Sequence, residues 1–348
     1  MLAAVKEWIM VRRGLYLLQG WIVGVLLILG VFPAPAREPV TNEPVAGMRM
    51  GAGLPVQQEG RLPVGWEGGQ DSGSMGRPRG PAVEGRVGYR WDLPVDLTDK
   101  DNVSAQHGGG GVTIRLPVSK TLMGSLDMDV DYVSYSFAVD EDTLFDAAGL
   151  MRHAADVRIS PMLAGRINKR WSWMARVSGA FIGETDADAW KSFSPGGMAG
   201  AVYDIDPNLK LTFGFVASAL LADVPLAFPI IGLDWKLNDQ LRIATRGPGL
   251  DVIMKLTPET TLTVKGRWDY RRYQLAGKGP VPDGIFRDQR VNTSVELSRR
   301  FHRILELTLE AGTSVYQQYK LENSDEDTLE TIQTDPQAFL GARLTINL

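Results

Sequence analysis

No cysteine occurs among the 348 residues. That excludes disulfides, thiolate metal sites, a cysteine nucleophile and a lipid-modified N-terminal cysteine. A chain without thiols also crosses an oxidising compartment without forming wrong disulfides. Histidine is scarce, with only His107, His153 and His302. No two of them stand at metal-ligand spacing, so neither a metal nor a cofactor is expected. No run of one charge sign is long, and the net charge is −4. Nucleic-acid binding wants clustered Lys and Arg, so nucleic acid is not an expected partner. After Phe32 no apolar run approaches the ~18 residues that a membrane helix needs.

Apolar residues still make up 44% of the chain, so it is not disordered as a whole. Arg12 and Arg13 precede an apolar run from Leu15 to Phe32, followed by Pro33-Ala34-Pro35-Ala36. Basic, apolar and small-residue regions in that order make residues 1–36 a secretory signal peptide, cleaved near Ala36. An uncleaved anchor helix is the competing reading. Residues 37–82 are rich in Gly and Pro without periodicity, which is the composition of a disordered periplasmic linker. A plug folded into a lumen and anchored by Trp66 is the alternative.

Residues 83–348 alternate instead. In Gly249–Leu275 a polar turn at Thr257 to Thr260 divides two strand-like runs. In the second run Leu262, Val264, Trp268 and Tyr270 share one face, and Thr263, Lys265, Arg267, Asp269 and Arg271 the other. Period-two alternation puts the two sets on opposite faces of a sheet. Leu305, Leu307, Leu309 and Ala311 similarly oppose Glu306, Thr308 and Glu310, and Val157, Ile159 and Leu163 oppose Asp156, Arg158 and Arg166. The apolar faces carry no mid-strand charge. A charge there would cost ~2–4 kcal/mol at a bilayer midplane.

Short turns fall at 119–121, 168–170, 206–208, 238–239, 257–260 and 301–303. Longer connections fall near 98–109, 140–150, 184–197, 221–227, 247–248, 276–288 and 322–335. Turns and loops take turns along the chain, as in an all-β, transmembrane, antiparallel up-and-down β-barrel. About 14 strands result, or about 12 if Gly247-Pro248 is only a bend. Trp171, Trp173, Trp235 and Phe301 lie beside short turns. Trp91, Tyr135, Phe137, Phe181, Tyr270, Tyr316 and Tyr319 lie toward long loops, which predicts an aromatic belt at each interface. Leu126 to Phe137 switches its apolar face after Tyr132, which predicts a β-bulge there. Gly108 to Gly111 reads as a flexible loop. A secreted soluble sandwich remains the alternative fold.

Phe228-Pro-Ile-Ile-Gly-Leu-Asp-Trp235, Leu241-Arg-Ile followed by Gly247-Pro-Gly, and the Arg290 to Glu310 hairpin with its late Gly312 carry a resemblance. In these segments, roughly its last third, the chain resembles an uncharacterised family of bacterial outer-membrane β-barrels known as a domain of unknown function. The resemblance implies an outer-membrane barrel. It carries no established activity and no catalytic residues.

Chemistry is sparse. Asp127-Met-Asp-Val-Asp131 mimics the start of a calcium loop, but Tyr132 and Ala138 stand where such a loop needs Gly and a carboxylate. These aspartates read as lumen-lining. The same interior row is expected to hold Arg115, Arg158, Arg166, Lys265, Arg267, Asp269, Glu296, Glu306 and Glu310. Such charges either pair across the interior or line a water channel and set its selectivity. Expected partners are outer-membrane lipid and small solutes. The leading reading is a porin-like channel with a charged lumen, and not an enzyme. A non-conducting barrel whose long loops bind a partner is the alternative. An outer-membrane hydrolase is the third, with no visible constellation.

Overall fold

Alternating side chains build this fold almost alone. The structure, a computed structural model, describes residues 81–96, 102–138, 144–145, 150–218 and 226–348. The expected signal peptide lies outside the described residues, as does the linker through residue 80.

The strands run in order. β1 (Ala82–Asp96) and β2 (Asn102–Pro117) make one hairpin, then β3 (Leu122–Ala138) and β4 (His153–Arg166) another. β5 (Trp171–Glu184), β6 (Phe193–Asp206), β7 (Leu209–Ser218) and β8 (Leu226–Lys236) follow. β9 (Leu241–Thr245) and β10 (Gly249–Lys255) are short. β11 (Thr260–Gln274), β12 (Ile285–His302) and β13 (Leu305–Glu322) are long, and β14 (Thr328–Gln333) and β15 (Gln337–Asn347) close the chain.

Each strand from β1 to β13 pairs with its sequence neighbours. β14 pairs with Gln318–Glu322 of β13 and β15 with Leu305–Ser314, so together they form one interrupted stave. β15 then meets β1, from Glu84↔Asn347 to Asp92↔Phe339. Val83 and Leu348 exchange backbone hydrogen bonds of 3.2 and 2.8 Å at this seam. The product is a closed, antiparallel, 14-stranded barrel, in which β14 pairs with β13 alone among the described strands. The alternative of 12 strands fails at Gly247. Arg246 N–H donates to Gly249 O at 3.0 Å, and Gly247 takes a φ of 55°, which closes a true hairpin turn.

The outward face is apolar. Ile159, Leu163, Val177, Phe215, Ile231, Leu297, Leu309 and Leu340 are all exposed there. Trp171, Trp235 and Phe301 flank the short turns, and Trp91, Phe181 and Tyr316 flank the loops. Tyr135 and Tyr319 do not join the loop-side belt. They are buried inside the barrel with Phe137 packed against them, and Tyr270 is buried as well.

Two further expectations are corrected. Gly108 to Gly111 is not a loop. It lies within β2, paired with β1 on one side and with β3 on the other. Asp131 and Asp129 cross the barrel interior over Gly109 and Gly111. A Cβ would stand 2.7 Å from Val130 O at Gly109 and 2.9 Å from Met128 O at Gly111, so only glycine fits. β3 has no bulge at Tyr132 either. Its register with β2 is unbroken from Asn102↔Ala138 to Pro117↔Met123. Tyr132 stays outward, while Val133 and Tyr135 continue the inward row. The apolar switch therefore marks a change inside the barrel, from a polar interior to a packed one. A bulge does occur in β13, between Val291↔Tyr316 and Asn292↔Ser314. It leaves both Ser314 and Gln317 inward and buried.

The short turns are laced together. Arg166 N–H donates to Thr121 O, Asp204 to Arg170 O, Lys236 to Asn208 O, Lys255 to Gln240 O, Arg300 to Glu259 O and Asn347 to Ile304 O, at 2.7 to 3.0 Å. At the other end β11 and β5 reach above the short β9–β10 hairpin and touch, with Gln274 paired to Gly183 in parallel.

Candidate functional site

The interior holds a packed loop end, a charged and polar region beneath it, and a second, smaller apolar cluster of Met162, Ala164, Met174 and Met198. The loop end is packed. Val133 and Tyr135 of β3, Ile182 of β5, Tyr273 of β11, Phe286 of β12, and Tyr319 and Leu321 of β13 form its core. Phe145, Leu150, Met151 and Val281 are buried with them from the connecting loops. Tyr135 is central: its ring lies 5.3 Å from Phe286 and 5.9 Å from Tyr319, both edge to face. Edge-to-face pairs at such distances are favourable beyond the area they bury.

A charged layer lies beneath these rings. Arg290 is 3% exposed, and its guanidinium bridges Asp92 of β1 and Asp288 of its own strand. Asp288 also accepts from the Tyr135 hydroxyl at 2.6 Å. Asp92 binds Arg90 at 2.6 Å and His107 Nε2 at 3.0 Å. The other ring nitrogen, His107 Nδ1, faces Arg271 Nη1 at 3.2 Å. His107 thus sits within β2 rather than at a loop edge, and both its nitrogens are engaged by charged groups. His153 stacks on Tyr132, and His302 is exposed at the opposite end. A buried charge layer is tolerable only when each member is paired, and removing one partner strands the others.

Below this layer lies a cavity of about 820 Å³, counted with the open space at its mouth. β3 supplies Asp129 and Asp131, β4 Asp156, Arg158 and Ser160, and β5 Arg176 and Ser178. Small residues of β6 and β7, among them Gly196, Gly197, Ala217 and Ser218, form its far wall. Their size leaves the room.

The twelve sequence candidates distribute as follows. Asp129, Asp131 and Arg158 share the cavity. Asp129 meets Arg86 at 2.5 Å, and Arg158 meets Asp156 at 2.8 Å. Asp127 accepts from Thr113 at 2.6 Å and from Arg176 at 3.2 Å. Arg115 pairs with Glu84 at 3.0 Å. Across the interior Glu296 joins Lys265 to Arg343, and Arg267 reaches Asp251 at 3.4 Å. Asp269 accepts from Asn292, Glu310 from Ser294 at 2.7 Å, and Glu306 faces Arg300 at 3.7 Å. Arg166 lies at the short-turn rim, donating to the Asn168 and Lys169 carbonyls. Among the described residues no group of three or more His, Asp or Glu side chains is arranged to hold a metal ion.

Sequence reasoning passed over Glu84, Arg86, Arg90, Asp92, Asp288 and Arg290. The signal was present for β1: these even-numbered polar residues alternate with Val83, Val87, Tyr89 and Trp91, which are exposed on the outward face.

Several solved structures are similar to the chain at low identity. The COG4313 outer membrane channel from Pseudomonas putida F1 is 13% identical, with a TM-score of 0.43, over 78% of this chain and 97% of that one. The P. putida toluene transporter TodX is 7% identical, with a TM-score of 0.40, over 78% and 90%. A Pseudomonas aeruginosa FadL homologue is 10% identical, with a TM-score of 0.40, over 77% and 89%. No curated protein matches the sequence. Residues 126–347, more than half of the chain, match the family described as Domain of unknown function (DUF6268), and the protein belongs to that family.

Proposed function

We propose that the protein is an outer-membrane barrel that passes small solutes through its polar lumen. The cavity beside Asp129, Asp131 and Arg158 carries this reading, because it is space reached by charged side chains inside a wall whose outer face is apolar. Lipid contact accounts for that outer face, and water or a solute accounts for the inner one. A cleaved leader near Ala36 would deliver the chain to the envelope. The lumen charges are mostly paired with one another, so they define the shape of the passage at least as much as its charge. The loop end is packed by Tyr135 and its neighbours, and passage on this side requires them to move.

That packed end also favours a second reading, a barrel that does not conduct and works through its loops. Planar-bilayer conductance of the folded protein in a salt gradient separates the two. Steady current supports passage. If inserted protein stays silent, and remains silent once Tyr135→Ala and Arg290→Ala have loosened the loop end, the channel reading fails and the loops become the place to look.

A further inference from the structure

The six short turns are not alike. Three of them carry a carboxylate beside their cations: Asp206, Asp239 and Glu259. The turns after β12, β2 and β4 carry none. They read Phe301-His-Arg-Ile304, Ser119-Lys-Thr121 and Ile167-Asn-Lys-Arg-Trp171. Strand order makes these three neighbours around the rim, with only the seam of β15 and β1 between the first and the second. One continuous arc therefore presents Lys120, Lys169, Arg170, Arg299 and Arg303, all exposed. Among the described residues none of these five has a carboxylate partner. Arg170 touches the Tyr203 hydroxyl at 3.3 Å, and Arg299 lies 5.6 Å from the Phe301 ring. On the remaining arc Lys236 is held by Asp239 at 2.7 Å, and Lys210 faces Asp204 at 3.8 Å.

Beside the unpaired cations the outward wall stays apolar to its edge. Val118 is 59% exposed, Ile167 63% and Phe301 58%, and Ile304 is exposed as well. Cations one or two residues beyond such side chains stand at headgroup depth when the apolar belt is in hydrocarbon. The lacing of the turns fixes their spacing. The loop end has the opposite character, with Asp186, Asp188, Asp325, Glu326 and Asp327 in its turns.

We propose that the arc formed by the β12–β13, β2–β3 and β4–β5 turns binds the phosphates of anionic phospholipids in the leaflet that faces it. This rests on the wall being embedded in lipid, and not on whether the lumen conducts. Charge complementarity selects the occupant: unpaired cations aligned along a greasy edge suit a phosphodiester whose acyl chains lie on that edge.

The test uses the folded full-length protein in phosphatidylcholine bilayers with spin-labelled phosphatidylglycerol, and compares its association with that of spin-labelled phosphatidylcholine. Wild type is expected to prefer phosphatidylglycerol by about fivefold, the effect of one headgroup–cation contact, and to lose the preference in molar salt. A variant with Lys120→Gln, Lys169→Gln, Arg170→Gln, Arg299→Gln and Arg303→Gln is expected to show none. Lys210→Gln with Lys236→Gln, on the other arc, is expected to keep it. Inserted wild type without any preference would overturn the proposal, as would a preference lost equally in both variants. Protein that never enters the bilayer would overturn the membrane reading itself.

Discussion

The Tyr135 hydroxyl donates a 2.6 Å hydrogen bond to Asp288 across 153 residues of sequence. This bond ties the aromatic core of the loop end to the charged layer beneath it. Asp288 holds Arg290, and Arg290 holds Asp92 on the far side of the seam. Three strands, β1, β3 and β12, are thereby coupled through one set of buried side chains.

Tyr135→Phe removes only the hydroxyl and leaves Asp288 one donor short. A cost of ~1–3 kcal/mol is expected, read as a lower denaturant midpoint at unchanged slope. Tyr135→Ala should cost more, about 3–5 kcal/mol, because an aromatic side chain leaves a void behind. Equal effects from the two substitutions would show that packing around the ring contributes nothing.

Arg290→Ala takes the guanidinium from Asp288 and leaves Asp92 with only Arg90 and His107, in a site from which water is excluded. A loss of about 3–5 kcal/mol is expected. Arg290→Met combined with Asp92→Asn and Asp288→Asn should recover most of it, because the uncompensated charges are then gone. Denaturant melts of the single and triple variants check this. A triple variant less stable than the single one would refute it.

Gly109→Ala and Gly111→Ala each push a methyl against the carbonyl oxygens of β3. Overpacking of this kind costs about 1–3 kcal/mol. Gly85→Ala is the control, since nothing lies within 4 Å of its Cβ position. It should be neutral or slightly stabilising, because alanine has less backbone freedom to lose. Melting temperatures of the three variants give the comparison.

Replacing Asp127, Asp129 and Asp131 by Asn together removes three lumen anions and leaves Arg86 and Arg176 in place. Under the channel reading, the reversal potential in a salt gradient should shift toward anion preference. An unchanged potential in a conducting protein would mean that ions do not pass this wall.

Much of the fold is legible in the sequence, because one residue's parity decides its face in a strand. Lys265, Arg267 and Asp269 alternate with Val264 and Trp268, and the barrel keeps that order. What escaped was whatever parity does not encode. The four glycines from Gly108 looked like a loop because their reason for being glycine lies on β3. Val133 and Tyr135 resemble a shifted lipid face in the sequence because apolar side chains suit a packed interior as well as a bilayer. Arg290 was indistinguishable from any inward arginine, since its partner Asp92 stands 198 positions away.

The seam has a consequence for assembly. The outer edge of β1 has no partner until residues 339–347 arrive to pair with it. Until those residues arrive, that edge of the strand offers an open row of amides and carbonyls, competent to pair with any other extended chain. What completes the barrel is thus a pairing of two ends far apart in sequence, not a collapse around a centre.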